Sequence, residues 1–127
     1  MSLKEQIAAD LRESLRAGQR ERTDVLRMLR ARILEREVEL RGSKGRDYQL
    51  SDEETIEVLA GYAKQIHQSI RSFEEGGRPE LVEKEKRELQ VVETYLPQPL
   101  SEAQIEKLSI RQSQRPEQPL PLISDRS

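Results

Sequence analysis

The sequence predicts an all-α protein: two helical hairpins packed into a small bundle, then a short helical stub and an unstructured tail. Three observations carry this. Apolar residues make up 34% of the 127-residue chain and charged residues 36%, with no Trp and one Phe. That mix suits helices that bury one stripe each, and it is too polar for a sandwich or a buried parallel sheet. Apolar residues recur at spacings of three and four, the period of a helix rather than a strand. Glycines and prolines fall between the periodic runs and punctuate them.

The first helix opens at Ser2, with Glu5 three residues on as its capping-box partner. Leu3, Ile7, Leu11 and Leu15 form its expected stripe, and Gly18 stops it. The second helix is predicted from about residue 20 to 41. Val25, Leu26, Leu29, Ile33 and Leu40 line one face, while Leu34 and Val38 fall on the opposite side. A helix apolar on both sides is expected to be covered on both, at the centre of the bundle. Gly42 and Gly45 then break the pattern.

The third helix is expected from Ser51, capped with Glu54 and carrying Asp52 and Glu53 at the positive end of its dipole. Ile56, Leu59, Ala63, Ile66, Ile70 and Phe73 form a coiled-coil-like seam that ends at Gly76-Gly77. The fourth begins at Pro79, a residue suited to a helix's first turn, and carries Val82, Leu89, Val92 and Leu96. The short link makes it antiparallel to the third. The bundle is thus assigned to residues 1–96 and a proline hinge to 97–100. A third capping box, Ser101 with Gln104, opens a helical stub over 101–108, and 109–127 has no period.

Composition excludes several functions. Without cysteine there is no disulfide, thiolate metal site or Cys nucleophile. The charged N-terminus has no signal-peptide core, and no run is apolar enough for a membrane span, so a soluble cytoplasmic protein is expected. The only histidine, His67, flanks the seam and reads as an ordinary helix residue. Carboxylate pairs such as Glu53/Glu57 and Glu35/Glu39 arise by chance in so charged a chain, and acid–base work needs a pocket that shifts a pKa. The stretch "GSKGRD" lacks the order of a phosphate loop and follows no strand. No catalytic, metal or cofactor-binding residue is therefore assigned.

Charge is unevenly placed. Residues 1–50 hold twelve Lys/Arg against nine Asp/Glu, whereas 51–108 hold seven against thirteen. Arg20, Arg27, Arg30 and Arg41 share one sector of the second helix, near Leu34 and Val38, and Lys44 and Arg46 follow in the loop. These six are the candidate nucleic-acid contacts, through phosphates. The competing reading is neutralisation by the interleaved Glu35, Glu37 and Glu39 or by the acidic second half. With few aromatic side chains, base stacking on single strands is not expected.

The stretches "SLKEQIAADLRESLRAGQRER", "RTDVLRMLRARILEREVE" and "SIRSFEEGGRPELVEKEKRELQVVETYLPQPLSEAQIEKL" resemble the GatB/YqeY family of small bacterial helical proteins. The run from Phe73 through Gly77, Pro79, Glu83, Lys84 and Glu85 to Tyr95-Leu96-Pro97 is the most specific part. The family is similar to the C-terminal helical region of the GatB component of the glutamine-dependent tRNA amidotransferase. The resemblance implies a helical bundle joined at "YLPQPLS" to a smaller helical tail domain that helps hold tRNA, with the amide-forming site in a separate domain. At family level it implies an association with carbon–nitrogen ligase activity using glutamine as amido donor. After Leu108 the chain leaves the family pattern, as a truncation or a reading-frame shift would make it do. The function expected is a non-catalytic accessory module that binds tRNA or a component of the aminoacylation or amidotransferase machinery. The alternative is a helical protein–protein scaffold or homodimer without tRNA affinity, motivated by the seam from Ile56 to Phe73 and by the two-sided second helix.

Overall fold

Two of the described helices start where a capping side chain supplies partners for the first N–H groups, and two start without one. A computed structural model describes residues 1–97, and four helices with no strand fill that stretch: α1 (Leu3–Arg16), α2 (Arg20–Lys44), α3 (Asp52–Glu75) and α4 (Pro79–Glu93). Both capping boxes expected in this region form. Ser2 Oγ accepts from the Glu5 amide at 3.1 Å while Glu5 Oε1 accepts from the Ser2 amide at 2.9 Å. Ser51 and Glu54 repeat the exchange at 3.1 and 3.0 Å. Pro79 sits in the first turn of α4, as predicted. The expected hinge beyond Pro97, the stub at 101–108 and the tail lie outside the described residues.

The two hairpin turns are built alike. At the end of α1, the amides of Gly18 and Gln19 donate back to the carbonyls of Leu15 (3.2 Å) and Ser14 (3.0 Å). At the end of α3, Gly77 and Arg78 donate to Glu74 (3.2 Å) and Phe73 (2.9 Å). This paired pattern is a Schellman closure, and it needs a left-handed residue after the cap. Gly18 and Gly77 supply it, at φ 71° and 68°. The chain reverses in three residues at each turn, which sets α1 against α2 and α3 against α4.

The core is one cluster drawn from all four helices: Ile7 and Leu11 of α1, Val25, Leu26, Leu29 and Ile33 of α2, Leu59, Ala63, Ile66 and Ile70 of α3, and Val82 and Val92 of α4. Tyr95 and Leu96 join it from the turn after α4, so the last helix is shorter than the apolar pattern implied. The α3 seam is consumed inside this bundle, with Ile56 and Phe73 half-buried at its ends. Four consecutive residues, Glu57 to Ala60, are buried, so one full turn of α3 is enclosed on every side.

Three sequence expectations are corrected. Leu15 is 50% exposed, and Ser14 takes the buried position with its hydroxyl 2.7 Å from that of Thr23. A strict spacing of four drifts about 40° per step around a helix, so by Leu15 the row has turned off the buried face. Second, α2 contacts all three other helices through its inner face alone. Leu34 and Val38 remain 42% and 62% exposed, so this helix is central without being covered on both sides. Third, α2 continues through Gly42 and stops only at Gly45.

Polar groups stitch the ends of the bundle. Glu37 is fully buried, and its Oε2 accepts from Lys4 Nζ of α1 at 2.7 Å and from the Leu50 amide of the α2–α3 loop at 3.1 Å. Its Oε1 lies 3.6 Å from Arg41 Nη2. The Leu3 amide donates to Asp52 Oδ1 at 3.0 Å, tying the start of α1 to the start of α3. At the opposite corner, Tyr95 Oη donates to Asp10 Oδ2 at 2.6 Å, and Arg87 grips Glu21 through two bonds of 2.9 and 3.1 Å. Desolvation and the Asp10 carboxylate hold the Tyr95 phenol well above its ordinary pKa.

Candidate nucleic-acid interface

A phosphate-binding face needs cations that are exposed and not already neutralised. The arginines of α2 divide sharply by that test. Arg22 lies 4.0 Å from Asp10, and Arg32 donates to Gln65 Oε1 at 2.7 Å while stacking on Tyr62 at 4.8 Å. Arg36 is buried and paired with Glu39 at 2.9 Å. Arg22 and Arg32 thus tie α2 to α1 and α3, and Arg36 is spent within α2.

Arg20, Arg27 and Arg30 behave differently. All three are exposed, and among the described residues none has an ion pair or side-chain hydrogen bond. The predicted neutralisation by interleaved glutamates does not reach them: Glu37 serves Lys4 and Arg41, and Glu39 serves Arg36. At about 1.5 Å of rise per residue, the row from Arg20 to Arg30 is about 15 Å long. Arg20 and Arg27 also line an open groove of about 460 Å³ with Leu15, Gly18 and Asp24, where α1 turns into α2.

The other three candidates are not part of this row. Arg41 Nε donates to the Tyr48 carbonyl at 3.1 Å and its Nη2 faces Glu37, so it braces the loop that follows. Lys44 lies over the Tyr48 ring at 5.2 Å. Arg46 is exposed in the loop beyond the end of α2, more than about 20 Å of helix from Arg30 by the same rise per residue. The six candidates therefore split into a coherent trio, a loop brace and an outlying pair.

The tyrosines are committed elsewhere: Tyr48 to Lys44 and Glu54, Tyr62 to Arg32 and Tyr95 to Asp10. The exposed side chains of this row therefore offer cations suited to phosphates and no aromatic ring for base stacking. Among the described residues, no group of three or more His, Cys, Asp or Glu side chains is placed to hold a metal ion. His67 is half-buried, and among the described residues its Nε2 has no hydrogen-bond partner. Among the described residues no helix is long and apolar enough to cross a membrane.

Comparison with known families settles the kinship. Residues 4–114 match the family model described as Yqey-like protein. The chain belongs to the Yqey-like protein family. The matched stretch covers the whole four-helix bundle and reaches beyond Leu108, where the sequence pattern was expected to depart. A comparison with curated proteins finds no match.

Two features escaped the sequence reading. Glu37 stands among similar glutamates and is singled out only by Lys4 and Leu50, distant in sequence. The exposure of Leu34 and Val38 had a signal, since they continue the spacing of Arg20, Asp24, Arg27 and Ala31 rather than that of the core.

Proposed function

We propose that this Yqey-like chain is a non-catalytic accessory module that contacts tRNA through backbone phosphates, in the setting of the tRNA-dependent amidotransferase its sequence resembles. The observation that carries the reading is the row Arg20, Arg27 and Arg30, exposed and without an ion-pair partner among the described residues. A net excess of positive charge, three arginines against Asp24, left unpaired on a helix face is what phosphate contact requires. The reading places the protein in the cytoplasm, where tRNA is.

The test is tRNA binding by filter retention across a salt series. Three phosphate contacts on a duplex predict that log K falls with log salt at a slope of about −2.7. Arg27→Ala with Arg30→Ala should flatten that slope by about 1.8 and weaken binding on any tRNA sequence. Affinity and slope unchanged by both substitutions would remove α2 from the account.

The alternative, a helical scaffold or dimer without tRNA affinity, rested on two features. The α3 seam is occupied within the bundle, so it offers no second chain a surface. The outer face of α2 remains.

A further inference from the structure

The outer face of α2 carries a second heptad-like row that the fold does not use. Residues 20, 24, 27, 31, 34, 38 and 41 follow spacings of four and three without a break, reading Arg, Asp, Arg, Ala, Leu, Val, Arg. Alternating spacings of this kind keep one edge of a helix facing a partner helix along its whole length. The inner face, from Val25 to Leu40, already serves the bundle. On the outer row Ala31, Leu34 and Val38 are exposed, with Met28, 42% exposed, beside them. At the N-terminal end the row runs into the groove containing Leu15. Four of the five exposed large apolar residues among those described thus lie on or next to this strip. Phosphate contact explains the arginines but gives Leu34 and Val38 nothing to do.

We propose that this face docks an acidic amphipathic helix of another protein, about three heptads long. Charge decides the occupant. The row and its flank carry Arg20, Arg27, Arg30 and Arg41 against Asp24 and Glu35. A second copy in parallel register would set Arg20, Arg27 and Arg41 each against its own image, and like charges at facing positions destabilise such pairs. A helix with apolar residues along its seam and Glu or Asp on its edges covers Ala31, Leu34 and Val38 and satisfies the arginines beside them. The site goes beyond the tRNA reading: it depends on the apolar half of the row, whereas tRNA contact depends on Arg27 and Arg30.

The probe is a fluorescent synthetic peptide of about 21 residues with Leu at both seam positions and Glu at both edge positions of each heptad, whose own charge opposes self-pairing. Its partner control carries Lys at the edge positions. Anisotropy titration with the full chain should show the acidic peptide binding at least about tenfold tighter than the basic one. Leu34→Ser with Val38→Ser should weaken the acidic peptide about tenfold or more while leaving tRNA binding and the thermal midpoint unchanged, because both side chains are exposed. Equal binding of the two peptides, no binding of the acidic one, or indifference to the double Ser variant overturns the proposal. Light scattering of the chain alone is the remaining arm: a stable dimer dissolved by Leu34→Ser would assign the face to a second copy and also overturn it. Arg27→Ala with Arg30→Ala should weaken tRNA and also narrow the preference for the acidic peptide, whereas Leu34→Ser with Val38→Ser weakens the peptide alone, and that contrast separates the two readings.

Discussion

Glu37→Ala should be among the most destabilising single changes at a polar position. The carboxylate is fully buried and holds three elements at once: Lys4 of α1 at 2.7 Å, the Leu50 amide at 3.1 Å and Arg41 at 3.6 Å. Removing it strands the Leu50 N–H in a buried place, which costs about 1–3 kcal/mol. It also leaves Lys4 beside an empty, formerly anionic site. Breaking a buried pair by deleting one partner costs about 3–5 kcal/mol when the other charge is fully enclosed. Here the side chains of Lys4 and Arg41 keep 29% and 36% exposure and can recover water, so the lower end applies. The expected total is about 4 kcal/mol, or a fall in Tm of about 16–32 °C for a domain of this size. Urea denaturation followed by circular dichroism measures it, with the denaturant slope checked for constancy. Glu37→Gln, which keeps an acceptor for Leu50, should lose less than the Ala variant. Lys4→Met with Glu37→Met should recover part of the loss, since it removes the stranded Lys4 charge and leaves only Arg41, which keeps 36% exposure and its bond to the Tyr48 carbonyl. A Glu37→Ala loss below about 1 kcal/mol would refute the reasoning, because it would mean the carboxylate's partners are no better off in the fold than in water.

Three further outcomes follow from the geometry. Leu29→Ala, at a fully buried position, should cost about 3–5 kcal/mol, whereas Leu34→Ala, five residues along the same helix, should stay within about 0.5 kcal/mol in the same urea assay. Gly77→Ala should cost about 1–2 kcal/mol from the left-handed backbone at φ 68° alone, because open space surrounds the position, and thermal melts would show it. Tyr95 should make the fold sensitive to alkali: its phenol is raised in the folded state, so the unfolded chain loses that proton first, near pH 10, and stability falls from there upward. Comparing urea midpoints of the parent and Tyr95→Phe from about pH 8 to 11 isolates this contribution, and parallel curves would count against it.

The helix starts were legible because they rest on local rules. Ser2 with Glu5 and Ser51 with Glu54 need nothing beyond three residues of context, and both formed. The middle of the α3 seam was legible for a similar reason, since one helix period suffices to place Leu59, Ala63, Ile66 and Ile70 together. The losses came where burial depends on distant elements. Ser14 is buried against Thr23, a polar contact to which hydrophobic pattern is blind. Gly42 stays helical because an interior glycine costs only about 1 kcal/mol and the helix continues beyond it. In the candidate site, the sector shared by Arg20, Arg27 and Arg30 followed from helix geometry. The commitment of Arg41 and Lys44 did not, because their partners, Tyr48 and Glu37, meet them only once the loop has folded back.

What is left for function follows from what folding consumes. The first half of the chain carries twelve basic residues. Lys4, Arg16, Arg22, Arg32, Arg36, Arg41 and Lys44 each engage a side chain or carbonyl of the fold. Arg12, Arg20, Arg27, Arg30 and Arg46 remain exposed and, among the described residues, without an ion-pair partner. Three of those five stand on one face of one helix, next to the apolar residues that the core also declined. Burial of Val25, Leu26, Leu29 and Ile33 fixes which way α2 points, and so presents its opposite face outward as a rigid, continuous edge. Folding asks little of either set: among the described residues these arginines have no ion pair or side-chain hydrogen bond, and Leu34 and Val38 bury little. A face that folding leaves both charged and apolar, on a helix held in place by contacts with all three others, is where a binding partner of this chain is expected to meet it.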